Sequence, residues 1–350
     1  MEELTRLDLA PITRSLRATY GSRLLVAAVH HLKVFDEFSD GPLTLDDLRR
    51  RLNLRERPTM VLVPALCAMG LLAFDSAGRL ALTAHGRFLT SASTPSLAGY
   101  IGLEGEDPGV VEMARRLRHD GPLEAAGGVA YVKEGAGPSP MDEPETARAL
   151  TLGLAGRARY LSPIVAAALP RSEGHLLDVA GGTGLFAYEW LLVNSRATAT
   201  VFDRPEVLKV AAEFLDEFCG GRREGASGVR GRVNLRPGDM LEDELPQADV
   251  VLAASLFHDW PGETCQVLAG RFAGALKPGG ELWIHDAFLD DTMDGPAAVT
   301  DYSAQLFWVT KGRAYSRREY REWLSRAGLT PVGEGVATLM DYGLISAKFC

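Results

Sequence analysis

The order of apolar and polar positions divides the chain of 350 residues into two kinds of sequence. From about residue 174 onward, short apolar runs alternate with segments of helical period, the arrangement that builds a parallel sheet with helices on both faces. Strands are predicted near 175–179, 198–202, 233–236, 249–254 and 281–286, with helices between most of them. A helix over Ser316 to Ala327 then precedes Thr330 to Val336 and Tyr342 to Phe349, a final pair suited to an antiparallel edge.

The first part is mostly helical. Apolar positions such as Leu9, Ile12, Leu16 and Tyr20 give a helical arm over residues 1–21, and Leu24 to Phe38 continues with helical spacing until Gly41-Pro42 stops it. Thr44 is placed to cap a short helix carrying Asp46 and Asp47 in its first turn. A third helix from Pro58 to Gly70 leads into 71–74 and 80–83, which flank the turn Asp75-Ser76-Ala77-Gly78 as a hairpin. Three helices followed by a hairpin suggest a winged helix. A helix around Pro108 to Arg118, a Gly/Pro/Glu-rich passage from Gly121 to Pro144, and a helical stretch over 145–169 interrupted at Pro163 complete this part. The passage suits either a linker or a lid. The expected organisation is a winged-helix dimerisation domain over 1–95, a linker and pocket-wall region over 96–170, and an α/β domain over 171–350.

The most informative stretch is Leu176 to Trp190, LLDVAGGTGLFAYEW, read as strand, tight glycine turn and helix. Such a turn needs residues without a Cβ, and the helix N-terminus presents free N–H groups to a nucleotide-like ligand. Gly182 to Ala187 also satisfies the G-x-G-x-x-G/A pattern of dinucleotide-binding folds, which is weak by itself. Two acids separate the readings. Asp178 stands just before the glycines, where an acid can meet an amino-acid ammonium, and Asp203 ends the next strand, where it can accept both ribose hydroxyls. That combination suits S-adenosylmethionine better than a nicotinamide cofactor. The blander roles are turn satisfaction for Asp178 and helix capping before Pro205 for Asp203.

Ligands of open α/β sheets sit beyond the carboxyl ends of the strands. The residues there are Asp178 and its glycines, Asp203, Gly238-Asp239-Met240, Phe257-His258-Asp259-Trp260, and Asp286. His258 on this rim, with Asp286 ending the neighbouring strand, makes a candidate general base oriented by a carboxylate. The alternative is a loop histidine satisfied by backbone groups, with Asp259 capping the helix that follows.

Composition narrows the partners. Hydrophobic residues at 46% and charged residues at 24% are ordinary for a globular protein. The longest apolar run, Val61 to Phe74, is broken by Pro64 and Gly70 and is too short to span a bilayer. The start of the chain lacks the basic and apolar regions of a secretory signal, so cytoplasmic location is the default expectation. Four dispersed cysteines without a C-x-x-C argue against a zinc site or a disulfide framework. A net charge of −9 disfavours nucleic-acid binding, and the third helix offers no base-reading side chains. Its apolar face better suits a second subunit.

LLDVAGGTG, FDRPEVL, GDML and the stretch from FHDW to KPGG stand in the order and spacing found in one family. The chain resembles, over nearly its whole length, the small-molecule O-methyltransferases typified by caffeic acid and acetylserotonin O-methyltransferases and their bacterial natural-product relatives. The resemblance implies a Rossmann-like methyltransferase domain with a mostly parallel seven-stranded sheet behind a winged-helix dimerisation domain, S-adenosylmethionine as cofactor, a small aromatic or polyketide-like substrate, and a homodimer. It implies that Asp178 and the turn of Ala180, Gly181, Gly182 and Gly184 hold the methionine portion, that Asp203 holds the ribose, and that Asp239, Met240 and Trp260 hold the adenine. His258 is then the base, Asp286 its partner, and Phe307 and Trp308 stand where pocket walls are expected. Two departures matter. Position 180 is Ala where a further glycine is usual, and Lys311 to Ser316 contains no acid where the family places a second Glu. The second departure leaves open a carbon or nitrogen acceptor, or a decarboxylating or hydroxylating relative that retains the cofactor.

Overall fold

A computed structural model describes residues 7–121 and 138–349. The passage from Gly121 to Pro144, read above as linker or lid, lies largely outside them. The contacts divide the chain into two compact units. Among the described residues, one unit holds 7–8, 138–287 and 318–349, and the other holds 9–121 and 288–317. This differs from an expected organisation of three consecutive stretches: residues 288–317 return to the N-terminal unit.

The larger unit is built on a seven-stranded sheet: β1 (His175–Val179), β2 (Thr198–Asp203), β3 (Val233–Pro237), β4 (Ala248–Ala254), β5 (Leu276–Asp286), β6 (Thr330–Ala337) and β7 (Gly343–Lys348). Their order across the sheet is β6-β7-β5-β4-β1-β2-β3. All neighbours are parallel except β7, which runs antiparallel to both β5 and β6. The central strands read as continuous apolar runs because both of their faces are covered: Leu176, Leu177, Val250, Val251 and Leu252 are all buried. The chain winds from β1 through β2 to β3 on one side, then restarts at β4 on the other. The carboxyl ends of β1 and β4 therefore meet at a switch point, where such sheets open a crevice.

Helix Pro144–Ala168 belongs to this unit and runs unbroken through Pro163, against the interruption expected there. Leu161, Val165 and Ala166 on either side of that proline are buried. Their burial outweighs the cost of the lost backbone hydrogen bond, roughly 3 kcal/mol.

In the other unit, the apolar stretch expected as one helix over Leu24 to Phe38 is distributed over three elements. Helix Ala10–Val26 passes into a π-helical turn at Ala27–His31, and a 3-10 turn follows at Val34–Phe38. Lys33, at φ 53°, makes the break. Thr44 caps Leu45–Arg51 as read, its hydroxyl accepting the Asp47 N–H at 3.1 Å. Helix Glu56–Ala68 and the antiparallel pair Leu72–Phe74 and Leu80–Leu82 complete the pattern. Helix Ala297–Val309 places Ala304 and Phe307 in the same core as Leu24, Phe35, Leu62 and Leu66. That burial explains why the segment folds with residues so distant in sequence.

Candidate active site

The glycine turn after β1 is built around a buried acid. Asp178 has no exposed surface, and neither of its carboxylate oxygens has a well-formed hydrogen bond, with only a weak interaction from the Ala187 N–H. Burial pushes its pKa up to about 7, the nearby Asp203 adds to the rise, and the Ala187 N–H offsets a part. Gly181 sits against it: an added Cβ would lie 2.8 Å from Val201 and 2.9 Å from the Asp178 carboxyl. Gly182, at φ +57°, faces open space. Ala180 itself adopts φ 53° while its N–H donates to the Phe202 carbonyl at 2.8 Å. A glycine would take that left-handed conformation without the cost of order 1–2 kcal/mol that the alanine methyl brings.

Gly184 starts the helix Leu185–Val193 at φ +73°, and an added Cβ would stand 2.3 Å from the Tyr188 hydroxyl. That hydroxyl is already committed to the Ala211 carbonyl at 3.0 Å. Gly184→Ala is expected to lower stability by roughly 2–4 kcal/mol, combining left-handed strain with overpacking. Equal urea midpoints for variant and parent would contradict this.

Asp203 closes the turn from β2. Its Oδ2 accepts the Gly182 N–H at 2.8 Å and its Oδ1 accepts the Arg204 N–H at 2.7 Å. Burial nevertheless raises its pKa to about 6 against these donors. Arg204 then reaches two further acids: Asp239 at 2.9 Å and Asp142, which it grips through Nε and Nη2 at 2.7 and 2.6 Å. Asp239 is thereby fixed beyond β3, and it also accepts the Leu241 N–H at 2.9 Å. Met240 is part-buried, its carbonyl accepting from Arg271 at 2.5 Å. The Arg204 bridge to Asp142 has no local signal in the sequence, because the two residues lie 62 positions apart.

The second cluster lies beyond β4 and β5. Ser255, at φ 55°, turns the chain out of β4 while its N–H donates to the His285 carbonyl at 2.8 Å. The 3-10 turn Phe257–Asp259 follows, and Cys265 holds it by donating its thiol to the Phe257 carbonyl at 3.2 Å. This turn buries His258 and places Nδ1 in a very short contact with Oδ1 of Asp286, itself fully buried. Burial works to lower the His258 pKa, yet the charges of Asp286 and Asp259 and the Nδ1 hydrogen bond carry it above the ordinary histidine value. Burial likewise opposes ionisation of Asp286, but His258, the Tyr320 hydroxyl and the Ala287 N–H hold its carboxyl below the usual range. Both shifts favour the carboxylate–imidazolium pair, so His258 becomes a base only as the pH rises past its elevated pKa.

Asp259 does not cap the next helix, whose N-cap is Pro261. Its Oδ1 lies 3.6 Å from Nε2 of His258, and burial raises its pKa to about 6. Trp260, part-buried, ends the turn. His285 is a separate matter: it stacks on Tyr342 at 5.2 Å, its Nε2 meets the Thr338 hydroxyl at 3.0 Å, and burial drops its pKa to about 3. A ring kept neutral and enclosed in this way is a core residue.

Phe307 and Trp308 belong to the other unit. Phe307 is fully buried with the Arg57 guanidinium 4.6 Å above its ring, and Trp308 meets Tyr20 edge-on at 5.9 Å. In the acid-free segment after them, the Arg57 side chain donates to the carbonyls of Thr310 and Gly312 at 3.0 and 3.1 Å. Arg313 is buried over the Tyr315 ring at 4.2 Å.

Residues 165–330 match the model of an O-methyltransferase domain. An O-methyltransferase family 2 protein from Planctomyces limnophilus DSM 3776, solved in complex with apigenin, is 38% identical, and the alignment covers 98% of this chain and 96% of that one with a TM-score of 0.85. The chain belongs to the O-methyltransferase family. It is an S-adenosylmethionine-dependent O-methyltransferase that methylates small molecules. Further relatives are the 3-hydroxy-5-methyl-1-naphthoate 3-O-methyltransferase of Streptomyces sahachiroi, 27% identical over 89% of this chain and 86% of the relative, and the N,N-dimethyltransferase OxyT of Streptomyces rimosus, 27% identical over 93% of each.

The turn of this methyltransferase fits its cofactor on its own geometry. A buried carboxylate at Asp178 without a well-formed hydrogen bond asks for a cation, and the open face of Gly182 leaves the backbone approachable. No helix among the described residues is long and apolar enough to cross a membrane.

Proposed function

We propose that the enzyme methylates a hydroxyl of a small aromatic or polyketide-like molecule, with His258 as general base and Asp286 as the carboxylate that orients it. The observation that carries this reading is the buried contact between Nδ1 of His258 and Asp286. With its Nδ1–H donated there, the neutral imidazole carries its lone pair on Nε2, the nitrogen available to take a proton. Two relatives point to phenolic acceptors: one was solved with apigenin, and another is named for a hydroxynaphthoate.

Bound S-adenosylmethionine supplies an electrophilic methyl on a positively charged sulfur. Asp178 would meet the ammonium of its methionine portion beside the turn of Ala180, Gly181, Gly182 and Gly184. Asp203 would accept the ribose hydroxyls, and Asp239, Met240 and Trp260 would border the adenine. His258 takes the hydroxyl proton onto Nε2 as the acceptor oxygen becomes nucleophilic, and the Asp286 carboxylate stabilises the imidazolium that results. Incubation with candidate phenols and isotopically methyl-labelled cofactor tests the assignment. Fragment spectra should place the label on oxygen; label on carbon or nitrogen would overturn the acceptor, and product without label would overturn methyl transfer.

Exposed apolar side chains of the N-terminal unit support a homodimer. Ile12 and Leu16, one helical turn apart, are 70% and 60% exposed, and Tyr100 and Leu103 of the same unit are 76% and 77% exposed. Apolar side chains left in water to this extent suit a subunit contact. Sedimentation at micromolar concentration should give the mass of a homodimer, and a monomer would refute it.

A further inference from the structure

The carboxylate beside His258 has a second oxygen, and that oxygen is also occupied. Tyr320, on helix Arg317–Arg326, donates its hydroxyl to Oδ2 of Asp286 at 2.8 Å. Oδ1 accepts both the His258 contact and the Ala287 N–H at 2.8 Å. Three donors from three places in the chain thus fix one carboxylate. The Tyr320 ring has no exposed surface. It lies edge-on to Phe257 at 5.5 Å and to Trp323 at 5.3 Å, while Phe257 and Trp323 stack on each other at 6.3 Å. Phe257 is the residue just before the histidine, so one aromatic cluster sets both the turn that carries His258 and the hydroxyl that holds its partner.

We propose that Tyr320 is a positioning residue for methyl transfer: its hydroxyl pins Oδ2 of Asp286, so that Oδ1 stays directed at Nδ1 of His258 and Nε2 keeps its lone pair toward the acceptor. This rests on His258 being the base. The arrangement suits a chain whose 311–316 segment provides no acid to share the task. A carboxylate with one face unpinned can rotate away from the ring, and a neutral imidazole without its Nδ1 acceptor is free to move its proton to Nε2, where it cannot act as a base. The hydroxyl also spreads the charge of Asp286 over a second hydrogen bond. Without it, in the molecules that keep the Nδ1 contact, the whole charge bears on the imidazole, which then holds its proton more tightly. The other charged groups acting on His258 are Asp259, at 3.6 Å from Nε2, and Arg157, whose charge opposes protonation and whose Nη1 donates to Tyr342 at 2.7 Å. Neither is altered by a change at position 320.

The test is Tyr320→Phe, which keeps the ring and removes the hydroxyl. The expected result is a fall in kcat of about tenfold, as for loss of a hydrogen bond to a charged group, with KM for S-adenosylmethionine unchanged. The rising limb of kcat/KM should move to higher pH. The nitrogen-15 signal of the His258 imidazole, assigned by its loss in His258→Ala, should titrate at higher pH by the same amount. In an Asp286→Asn background the Tyr320 change should have no further effect on kcat, a cycle that cancels any shared packing loss. Parental kcat and parental His258 titration in Tyr320→Phe, with His258→Ala inactive, would overturn the role of Tyr320 and leave the base in place. Parental turnover in His258→Ala would overturn the base itself.

Discussion

Replacing His258 by Ala is expected to lower turnover by roughly 10²- to 10⁴-fold, the range that positioned proton transfer supplies, with S-adenosylmethionine affinity nearly intact. The magnitude follows from the proton the acceptor must lose. A phenol near pKa 10 and an ordinary histidine near 6.5 differ by about 3.5 units, or about 5 kcal/mol. Asp286 narrows this gap, since it lifts the His258 pKa above the ordinary value despite burial. The sign of the pH dependence is fixed by the same shift. The base must be neutral, so kcat/KM rises with pH through a midpoint above 6.5, and His258→Ala should lack that limb. Isothermal titration of the cofactor and steady-state rates against pH check both statements. A variant with parental rates, or one whose rate loss is matched by lost cofactor binding, would contradict the assignment.

The sheet was legible from sequence for a physical reason. Buried parallel strands such as β1 and β4 are mostly apolar runs bounded by turn residues, and polar residues at or just past their carboxyl ends interrupt the pattern where the rim begins. The rim candidates Asp178, Asp203, Asp239, His258 and Asp286 could be named because ligands of open α/β sheets sit beyond the carboxyl ends of the strands. What stayed hidden was pairing across the chain. Helix Arg317–Arg326, RREYREWLSR, shows Tyr320, Trp323 and Leu324 as a buried stripe, which by itself reads as packing. That Tyr320 ends on a carboxylate 34 positions away depends on tertiary placement. The same holds for Arg204 with Asp142, and for the return of Ala297–Val309 to the N-terminal core. Pro163 misled in the opposite direction, because the local rule against proline yields when the residues around it are buried.

Asp178→Asn should separate cofactor binding from stability more sharply than any other change in the turn. In the free protein the carboxyl is buried without a well-formed hydrogen bond, and its pKa rises from 3.8 to about 7. Between these values the folded state binds more protons than the unfolded state, so stability falls as pH rises through the window, by roughly 4 kcal/mol in total for a shift of this size. An amide carries no such penalty. The free Asn variant should therefore match or exceed the parent in melting temperature above pH 7 and should lose the downward slope with pH. Cofactor binding runs the other way. An ammonium favours the ionised carboxylate, so affinity in the parent should climb with pH up to about 7 and then level off, with protons released on binding below that point. Loss of one partner of a buried charge pair costs about 2–5 kcal/mol, which predicts that Asp178→Asn binds S-adenosylmethionine roughly 30- to 5,000-fold more weakly and without the pH slope. Calorimetric titration in buffers of different ionisation enthalpy, alongside melting curves across the same window, measures both arms. Unchanged affinity in the variant would show that the ammonium is held elsewhere, and a melting temperature that falls would show that the carboxylate is satisfied in the free protein after all.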